Sequence, residues 1–520
     1  MTSTLRNISF RRLGTSEVHQ RFLEDDRDLA AFLGMRARSV DDLLRRAPTG
    51  AGRVVPRQEL AAALRAYAER HGAPPEVLAN AEALLDPKTH VVVTGQQPGL
   101  CGGPLFTLHK AATAIRLCRE IQKRHPDGDV RVVPLFWNHS DDHDLEEANR
   151  LFLVNQQQEV QRYRLELSRH NQPLRNIHVG RDVERLLDEI APLLPETEFH
   201  ERVLAAMRPR HPDETLGDLQ ARLLFDVFGE HGLLVVEPRD LPESAFAPLE
   251  RWWSRSAEVR EVVKQTCDDL QALGVDITLD PAATMMFEVS GDRREPLADG
   301  EQVGDRRSLS PGVLLRPLWQ DACLPTIAFV VGPGELSYLA AIAPLYRLLG
   351  VPQPVFVPRA SMTLVEPSMQ RLLKRFSLDL PDLDQAPERL AEQLLDTDEG
   401  GDLEDRVDDL KNRLRSELDA IEKRLEKIDA SMVSALDRAR TKSIEELERL
   451  QTKVRNARQN REGTGIKQLR RLCNSLRPRS RIQERVFGPI AFLNSYGPRL
   501  ADELVGAADP FRIEHGVLEL

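Results

Sequence analysis

The sequence has few cysteines, and none of them forms a closely spaced pair. Cys101, Cys118, Cys267, Cys323 and Cys473 include no C-x-x-C pattern in a chain of 520 residues. This spacing argues against a disulfide framework and against a cysteine zinc site, so we expect reduced thiols. Cys101 lies in a glycine-rich turn and could be a nucleophile, but we favour a small apolar packing residue there.

The sequence also lacks long apolar segments and an excess of positive charge. No uninterrupted apolar run approaches the roughly 18 residues that span a bilayer, and residues 1–14 contain no apolar signal core. We therefore expect a cytoplasmic protein with no membrane partner. The net charge of −11 argues against a general nucleic-acid-binding protein.

The spacing of apolar residues changes along the chain and predicts its organisation. Helical spacing in the first part, with Ser39 as a predicted N-cap, gives way after His90 to buried runs that alternate with helices. That alternation predicts an α/β fold, a doubly wound parallel sheet with inserted connecting segments. The predicted strands are HVVVTG, VRVVPLFWN, GLLVVEP, TIAFVVGPGE and QPVFVP. The predicted divisions are a helical segment at 1–88, a core at 89–380 with insertions near 151–225 and 270–312, a hairpin at 381–478 and a C-terminal return at 479–520.

The hairpin prediction depends on a heptad-like pattern and on charge. Residues 382–409 hold twelve Asp/Glu against two Lys/Arg, while residues 453–485 hold eleven Lys/Arg against two Asp/Glu. Folding the segment into a long antiparallel coiled coil would lay the basic arm beside the acidic one. Such a hairpin commonly provides a dimer surface, so we expect a homodimer. A solvated arm with no partner is the alternative.

The position of the hairpin turn is left open by the sequence. Asp429 to Ser431 and Thr441 to Ser443 are the two candidates, because no glycine or proline interrupts the pattern. Ser443 with Glu446 fits a capping box, which favours the second candidate.

Three motifs follow predicted strands, and the first is TGQQPGLCGGP. Its glycines allow close backbone approach, and Pro104 is predicted at the first position of the next helix, whose N-terminus would attract an anion. Lys110, two turns into that helix, could reach a phosphate if the helix lies alongside the ligand. A purely structural turn is the alternative. The candidate binding residues are Thr94, Gly95, Gln96, Gln97, Gly102, Gly103, Pro104 and Lys110.

The second motif is FWNHSDDHDLEE, directly after the second predicted strand. Because the carboxyl ends of parallel strands line one crevice, this loop should open into the same space as the first motif. Its Asp142, His143 and Asp144 could position a cationic amine, coordinate Mg²⁺, or supply a base in His143. A capped helix start facing solvent is the alternative. Zinc is not expected, because no third well-spaced ligand accompanies His139 and His143.

The third motif, GPGELSY, resembles the first, because a turn rich in glycine and proline again follows a predicted strand and precedes a predicted helix. Glu335 either caps the helix that begins there or binds an amine, and we leave both open. Tyr338 lies one turn further on the same face. With Arg316 and Gly334, these residues complete the candidate site.

Together these stretches resemble the bacillithiol-synthesis cysteine-adding enzymes, the BshC family. The resemblance is carried by TGQQPGLCGGPLFTLHKA, PLFWNHSDDHDLEE, RPLWQDACLPTIAFVVGPGELSY, VPRASMTLVEP and IQERVFGPIAFLNSYG. It implies a Rossmann core related to nucleotidylyltransferases and a coiled-coil hairpin used in dimerisation. It also implies a ligase activity that joins cysteine to glucosaminyl-malate to form bacillithiol.

Residue by residue, the resemblance implies the following. The Gly102-Gly103-Pro104 turn occupies the place of the His-x-Gly-His nucleotide motif of related transferases. Asp142-His143-Asp144 and Glu146-Glu147 match the family's Asp-His-Asp-x-Glu-Glu block, while His139 and Asp141 depart from the family pattern.

These matches lead to a mechanistic hypothesis. ATP or another nucleotide, with Mg²⁺, would activate the cysteine carboxyl. His143 or Asp142 would handle the proton of the attacking amine, with Asp144 holding the imidazole. Gly95, Gly102 and Gly103 would shape the anion site, Glu335 would bind an ammonium group, and Lys110 and Arg316 would stabilise developing negative charge. The alternatives are a non-catalytic nucleotide-binding dimeric scaffold, and a nucleotidylyltransferase with another acceptor.

Overall fold

The computed structural model of the protein describes residues 4–48, 53–155, 157–167, 172–277, 279–298, 300–301, 303–395, 401–425, 433–461 and 463–520. The chain divides into two compact units. The first consists of Met1–Asn155, Gln161–Val365 and Ile482–Leu520, and the second of Gln156–Val160 and Glu366–Arg481.

A five-stranded parallel sheet forms the centre of the first unit, which confirms the predicted fold class. Its strands lie in the order Val355–Pro358, Thr326–Val331, Thr89–Gln96, Arg131–Asn138 and Leu234–Val236. The strands are rich in valine and other apolar residues and are buried on both faces, as parallel strands between helices usually are. Each coincides with a predicted run to within one residue or lies inside it: β1 at Thr89–Gln96, β2 at Arg131–Asn138, β3 at Leu234–Val236, β4 at Thr326–Val331 and β5 at Val355–Pro358.

Two helices link the strands that matter for the site. Helix α1, Phe106–Arg124, follows β1, and helix α2, Pro333–Leu348, follows β4. Leu117 and Ile121 of α1 pack on one face of the sheet with Val92, Val132 and Ile327. From the neighbouring strands β1 and β4 the chain continues toward opposite edges of the sheet, to β2 and to β5 respectively. This reversal is the topological switch point, where such folds bind ligands.

The segment near 270–312 contains a short antiparallel sheet. Met286–Ser290 pairs antiparallel with Arg293–Pro296 on one side and with Leu309–Pro311 on the other. We call this three-stranded element the small sheet. The remaining strands of the two insertions are Arg150–Val154 and Val160–Arg164.

The N-terminal segment is helical, as predicted, and Ser39 caps Val40–Arg46 by accepting the backbone N–H of Asp42 at 3.2 Å. The strand Thr4–Ile8 was not predicted. It pairs with His515–Glu519, which also pairs with Met362–Val365, so its partner lies at the far end of the sequence. The other helices of the first unit are Glu17–Leu23, Arg27–Leu33, Arg57–His71, Pro75–Ala83, Leu145–Ala148, Gly180–Ile190, His200–Met207, Leu216–Phe228, Ala247–Trp253, Ser256–Ala272, Arg316–Cys323, Ile490–Tyr496 and Arg499–Ala507.

The second unit contains the helical hairpin. Helices α3, Gly401–Leu425, and α4, Val433–Arg461, lie side by side, and Arg440 of α4 pairs with Asp419 at 2.9 Å and with Glu422. The acidic and basic arms also meet, because Arg470 and Arg477 pair with Glu388 and Asp384 at 3.0 and 2.6 Å. The unit's other helices are Pro367–Phe376, Pro387–Leu395 and Gly463–Leu476.

The favoured position of the hairpin turn is wrong. Thr441 to Ser443 lies inside α4, a segment without glycine or proline, so nothing in it breaks the helix. The other candidate, Asp429 to Ser431, lies outside the described residues. Within the described ranges, no helix is both long enough and apolar enough to cross a membrane.

Candidate active site

A cavity of about 620 Å³ opens at the carboxyl edge of the central sheet, beside the switch point between β1 and β4. The ends of β1, β2 and β4 all reach it, so the structure brings parts of the three sequence motifs together. Its volume is that of a small-molecule site. The lining residues are Gly95, Gln96, Gln97, Phe106, Lys110, His139, Asp142, His143, Asp144, Glu147, Arg316, Gly332, Pro333, Gly334, Glu335, Tyr338, Arg359 and Arg485.

Gly95 allows the ends of β1 and β2 to approach closely. A Cβ at this position would lie 2.6 Å from the carbonyl oxygen of Trp137 and 2.9 Å from Nε2 of His139. Burial lowers the pKa of His139 well below its ordinary value, with Arg316 and Lys110 adding to the effect, so the imidazole is neutral.

Lys110 is buried beneath the cavity and its ammonium group has three protein acceptors. Its Nζ donates to the carbonyl oxygen of Gly95 at 2.7 Å and to Oε1 of Gln96 at 3.0 Å, and it pairs with Oε2 of Glu335 at 2.6 Å. Burial lowers the pKa of Lys110, an effect that Glu335 opposes. An ammonium group has three protons, so these contacts use all of them. Lys110 therefore ties the end of β1 to the start of α2.

Glu335 caps the helix, one of the two roles that the sequence left open, and the amine that it contacts belongs to a protein side chain. Its carboxylate accepts the backbone N–H of Gly332 at 2.6 Å, which caps α2, and it binds an ammonium group, that of Lys110. The Tyr338 hydroxyl interacts electrostatically with the side chains of Glu335 and Arg316. Burial raises the pKa of Tyr338, so its hydroxyl stays protonated.

Asp142 is held as a carboxylate by arginines. Its Oδ2 lies 3.2 Å from Nη1 of Arg316, and its Oδ1 lies 3.9 Å from Nη1 of Arg294. Burial by itself would raise the pKa of Asp142, but Arg316 and then Arg294 bring it below the ordinary value. Asp142 is therefore ionised at neutral pH and is a weak base.

His143 contacts a residue that the sequence did not single out. Its Nδ1 lies 2.9 Å from Nη1 of Arg294, whose buried guanidinium also stacks 3.8 Å from the ring centre of Phe287. Asp144 does not hold the imidazole, contrary to the mechanistic hypothesis. Instead its carboxylate caps Leu145–Ala148, and its carbonyl oxygen accepts Nε2 of Gln97 at 2.6 Å. As an N-cap residue, Asp144 directs its carboxylate at a free backbone N–H in the first turn of this helix.

The Gly102-Gly103-Pro104 turn is packed inside the protein and does not line the cavity. A Cβ at Gly102 would lie 2.4 Å from Cδ2 of Leu223 and 3.2 Å from Cγ of Pro489. The prediction that Pro104 begins the helix is wrong by two residues, because Leu105 precedes Phe106 as the N-cap. The carbonyl oxygen of Pro104 accepts the N–H of Thr107, three residues on, and the first bond of α-helical spacing runs from the N–H of His109 to the carbonyl oxygen of Leu105.

Three other residues of the motifs are also committed to the fold. The hydroxyl of Thr94 donates to the carbonyl oxygen of Val330 at 2.9 Å and joins β1 to β4. Burial raises the pKa of Cys101 to about 12, so it remains a thiol, in keeping with a packing role. Asp141 is buried against Arg175 and Arg239, each at 3.1 Å.

Sequence reasoning missed three cationic residues of the site. Arg294 lies in the small sheet, and no local pattern marks it. Arg359 directly follows β5 and pairs with buried Glu484 at 2.6 Å, and Arg485 comes next in the chain. Arg359 could have been found by the rule that located the other motifs, since it stands at the carboxyl end of a parallel strand.

The cavity has walls of both charges. Lys110, Arg316, Arg359 and Arg485 are cationic, while Asp142, Asp144, Glu147 and Glu335 are anionic. Such a site suits a ligand that carries both an amine and carboxylate or phosphate groups. Among the described residues, no three His, Cys, Asp or Glu side chains are grouped so that they could hold a metal ion.

Comparisons with known proteins agree with this architecture. Residues 4–307 and 304–360 match the family model "Bacillithiol biosynthesis BshC, N-terminal Rossmann-like domain", and residues 362–520 match "Bacillithiol biosynthesis BshC, C-terminal coiled-coil domain". The protein named "Putative cysteine ligase BshC" from Koribacter versatilis is 30% identical over 476 residues, which are 87% of this chain and 88% of the relative. Its namesake from Salinibacter ruber is 30% identical over 488 residues, 88% of each chain. The chain therefore belongs to the BshC family of bacillithiol biosynthesis.

Proposed function

We propose that this protein is a cysteine ligase that joins cysteine to glucosaminyl-malate through an amide bond and so forms bacillithiol. The observation that carries the proposal is the cavity of mixed charge at the switch point, in a chain that belongs to this family. Both substrates carry amine and carboxylate groups, which match such a lining. We place the reaction in the cytoplasm, where the five free cysteines and a thiol product would stay reduced.

The reaction needs an activated carboxyl group. We propose that the cysteine carboxylate attacks ATP, with Mg²⁺ as counter-ion, and becomes either an acyl phosphate with release of ADP or an acyl adenylate with release of diphosphate. The amine nitrogen of glucosaminyl-malate then attacks the acyl carbon, loses a proton, and displaces phosphate or AMP. Arg359 and Arg485, with the N-terminus of α2, are the groups we assign to the anionic parts of these substrates.

The acidic wall would receive the amine and its proton. Glu335 is already paired with Lys110 and Asp142 with Arg316, which leaves Asp144 and Glu147 for a substrate ammonium group. Desolvation, together with neighbouring Asp144, raises the pKa of Glu147. A carboxylate with a raised pKa is the better proton acceptor, so we assign the general base to Glu147 rather than to Asp142.

The experiment combines the purified chain with cysteine, glucosaminyl-malate, ATP and Mg²⁺, and follows the product by mass spectrometry. Product formation that requires every component is expected. Glu147→Gln should lower kcat by about 10²- to 10⁴-fold, the usual loss on removing a general base. Glu146→Gln is the matched control, because Glu146 is exposed on the same short helix and does not line the cavity. No product with any nucleoside triphosphate would refute the ligase assignment.

Two alternatives give different results in the same material. A non-catalytic nucleotide-binding scaffold would bind neither cysteine nor glucosaminyl-malate in isothermal titration calorimetry. A nucleotidylyltransferase with another acceptor would release diphosphate without any dependence on cysteine.

We also propose that the protein is a homodimer that associates through α3 and α4. Leu410, Ile421 and Leu450 on these helices are 51%, 44% and 46% exposed, and large apolar side chains at helical spacing favour a partner helix. The chain has a mass of 58.7 kDa, and light scattering after size exclusion should give twice that mass. Leu410→Asp with Leu450→Asp should give the monomer, and a monomeric parent protein would contradict the proposal.

A further inference from the structure

Arg294 is fixed by contacts that have nothing to do with a ligand. Its Nε donates to Oγ of Ser310 at 3.1 Å and its Nη2 donates to the carbonyl oxygen of Pro311 at 3.2 Å. The guanidinium also stacks on Phe287 of the same small sheet, and the residue is 6% exposed. These contacts fix its position and orientation, so Nη1 has a defined direction.

That direction is toward Nδ1 of His143, at 2.9 Å. A guanidinium has only donors, so the imidazole nitrogen that faces it must accept. Burial lowers the pKa of Arg294 to about 10, which still leaves it charged at neutral pH. A neutral imidazole whose Nδ1 accepts carries its proton on Nε2.

We propose that Arg294 is a positioning residue that keeps His143 in the tautomer with Nδ1 as acceptor and Nε2–H as donor. His143 then meets a ligand in the cavity through Nε2–H, as a hydrogen-bond donor and not as a base. The tautomer of His143 does not depend on the proposed function; only the role of its Nε2–H donor in the reaction rests on that function. In amide ligation it would donate to the acyl oxygen as negative charge develops there.

The assignment makes the site chemically consistent. The base, Glu147, and the donor, His143, are then different groups, so neither has to perform both tasks. Asp142, whose Oδ1 lies 3.9 Å from Nδ1 of His143, contributes negative charge on the same side of the ring as Arg294.

The test is the tautomer itself, which does not depend on activity. The full chain is labelled with ¹⁵N-histidine, and long-range ¹H–¹⁵N correlations are recorded at mildly alkaline pH, with His143→Gln identifying the His143 signals. We expect a protonated Nε2 and an unprotonated, hydrogen-bonded Nδ1. Arg294→Met should shift the Nδ1 signal toward that of an unbonded nitrogen and populate the Nδ1–H tautomer, and Arg294→Lys should reverse part of the shift.

Arg293→Met is the matched control, because Arg293 precedes Arg294 in the same strand and its side chain is 76% exposed. It should leave the His143 signals unchanged. A protonated Nδ1 in the parent protein would overturn the proposal even if Arg294→Met fails to fold, as would an unchanged Nδ1 signal in a folded Arg294→Met. Failure of the ligase assay would leave these spectra interpretable, so the two proposals can fail separately.

Discussion

The protein contains two glycine- and proline-rich turns that follow neighbouring parallel strands, and they have different fates. The turn after β1 is covered by Leu223 and Pro489, which leave no room for a Cβ at Gly102. The turn after β4 is open, because a Cβ at Gly334 would meet no atom within 4 Å. The same composition can therefore serve packing in one place and a ligand cavity in another.

The helix that follows each turn explains the difference. Pro333 occupies the first position of α2, where its missing N–H is not needed, and the helix start faces the cavity. The first turn instead continues through a short 3-10 segment at Leu100–Gly102 before α1 begins at Phe106. Gln220 of an inserted helix accepts the backbone N–H of Gly99 at 3.0 Å and lies over that turn. Lys110 connects the two regions.

Removing that connection should have the largest effect on stability. Lys110→Met leaves Glu335, Gln96 and the carbonyl oxygen of Gly95 without their shared donor, and breaking a buried ion pair typically costs about 3–5 kcal/mol. Denaturant unfolding should show a loss of that size in the free energy of unfolding. Lys123→Met, at the exposed end of the same helix, is the control and should change it by less than about 0.5 kcal/mol. A similarly small loss for Lys110→Met would show that the two turns are held independently.

The packed turn should be intolerant of a single added methyl group. At Gly102 the backbone φ is +86°, and a Cβ would lie 2.4 Å from Cδ2 of Leu223, which is itself buried. Overpacking and the left-handed backbone together should lower the free energy of unfolding of Gly102→Ala by about 3 kcal/mol. Thermal and denaturant unfolding measure this loss. A stable Gly102→Ala protein would mean that the turn is not as tightly covered as the structure shows.

A buried carboxyl group at the carboxyl edge of the central sheet should also make the free energy of unfolding depend on pH. Burial raises the pKa of Glu237, which follows β3 and is hydrogen-bonded by Tyr67 and Ser140, to about 7. Between the ordinary pKa of 4.5 and about 7, the folded state keeps a proton that the unfolded state releases. Stability therefore falls as pH rises through this window, by at most about 3 kcal/mol, and levels off above it.

Glu237→Gln isolates that contribution. The pKa of buried Asp321 is also raised to about 7, so the parent protein's curve contains both groups. The free energy of unfolding of the parent minus that of the variant, measured by denaturant unfolding from pH 4.5 to 8, should decline over the same window. A constant difference would show that Glu237 is ionised in the fold throughout.

The sequence predicted the sheet well and the site only in part. A β-branched run such as Val91 to Val93 indicates a buried strand by its own composition, so strands could be identified locally. The switch point then follows from the order of the strands. The cover on Gly102 comes from Leu223 and Pro489, which are remote in sequence. Arg294 lies 151 residues from His143 and reaches it only because the small sheet packs against the loop that carries His143. Side-chain partners of this kind are set by tertiary packing, which local patterns do not encode.

The open turn should show the smallest effect on stability and a selective effect on binding. Gly334 is exposed in the first turn of α2 and has an ordinary backbone φ, so Gly334→Ala should leave the free energy of unfolding unchanged or raise it by up to about 1 kcal/mol. The added methyl group projects into space beside the cavity, where we assign anionic substrate groups to the helix N-terminus. Isothermal titration with ATP and Mg²⁺ should therefore show weaker binding in a protein that melts no lower than its parent. If binding and melting both stay unchanged, the N-terminus of α2 is not part of the anion site, and the two turns differ only in what covers them.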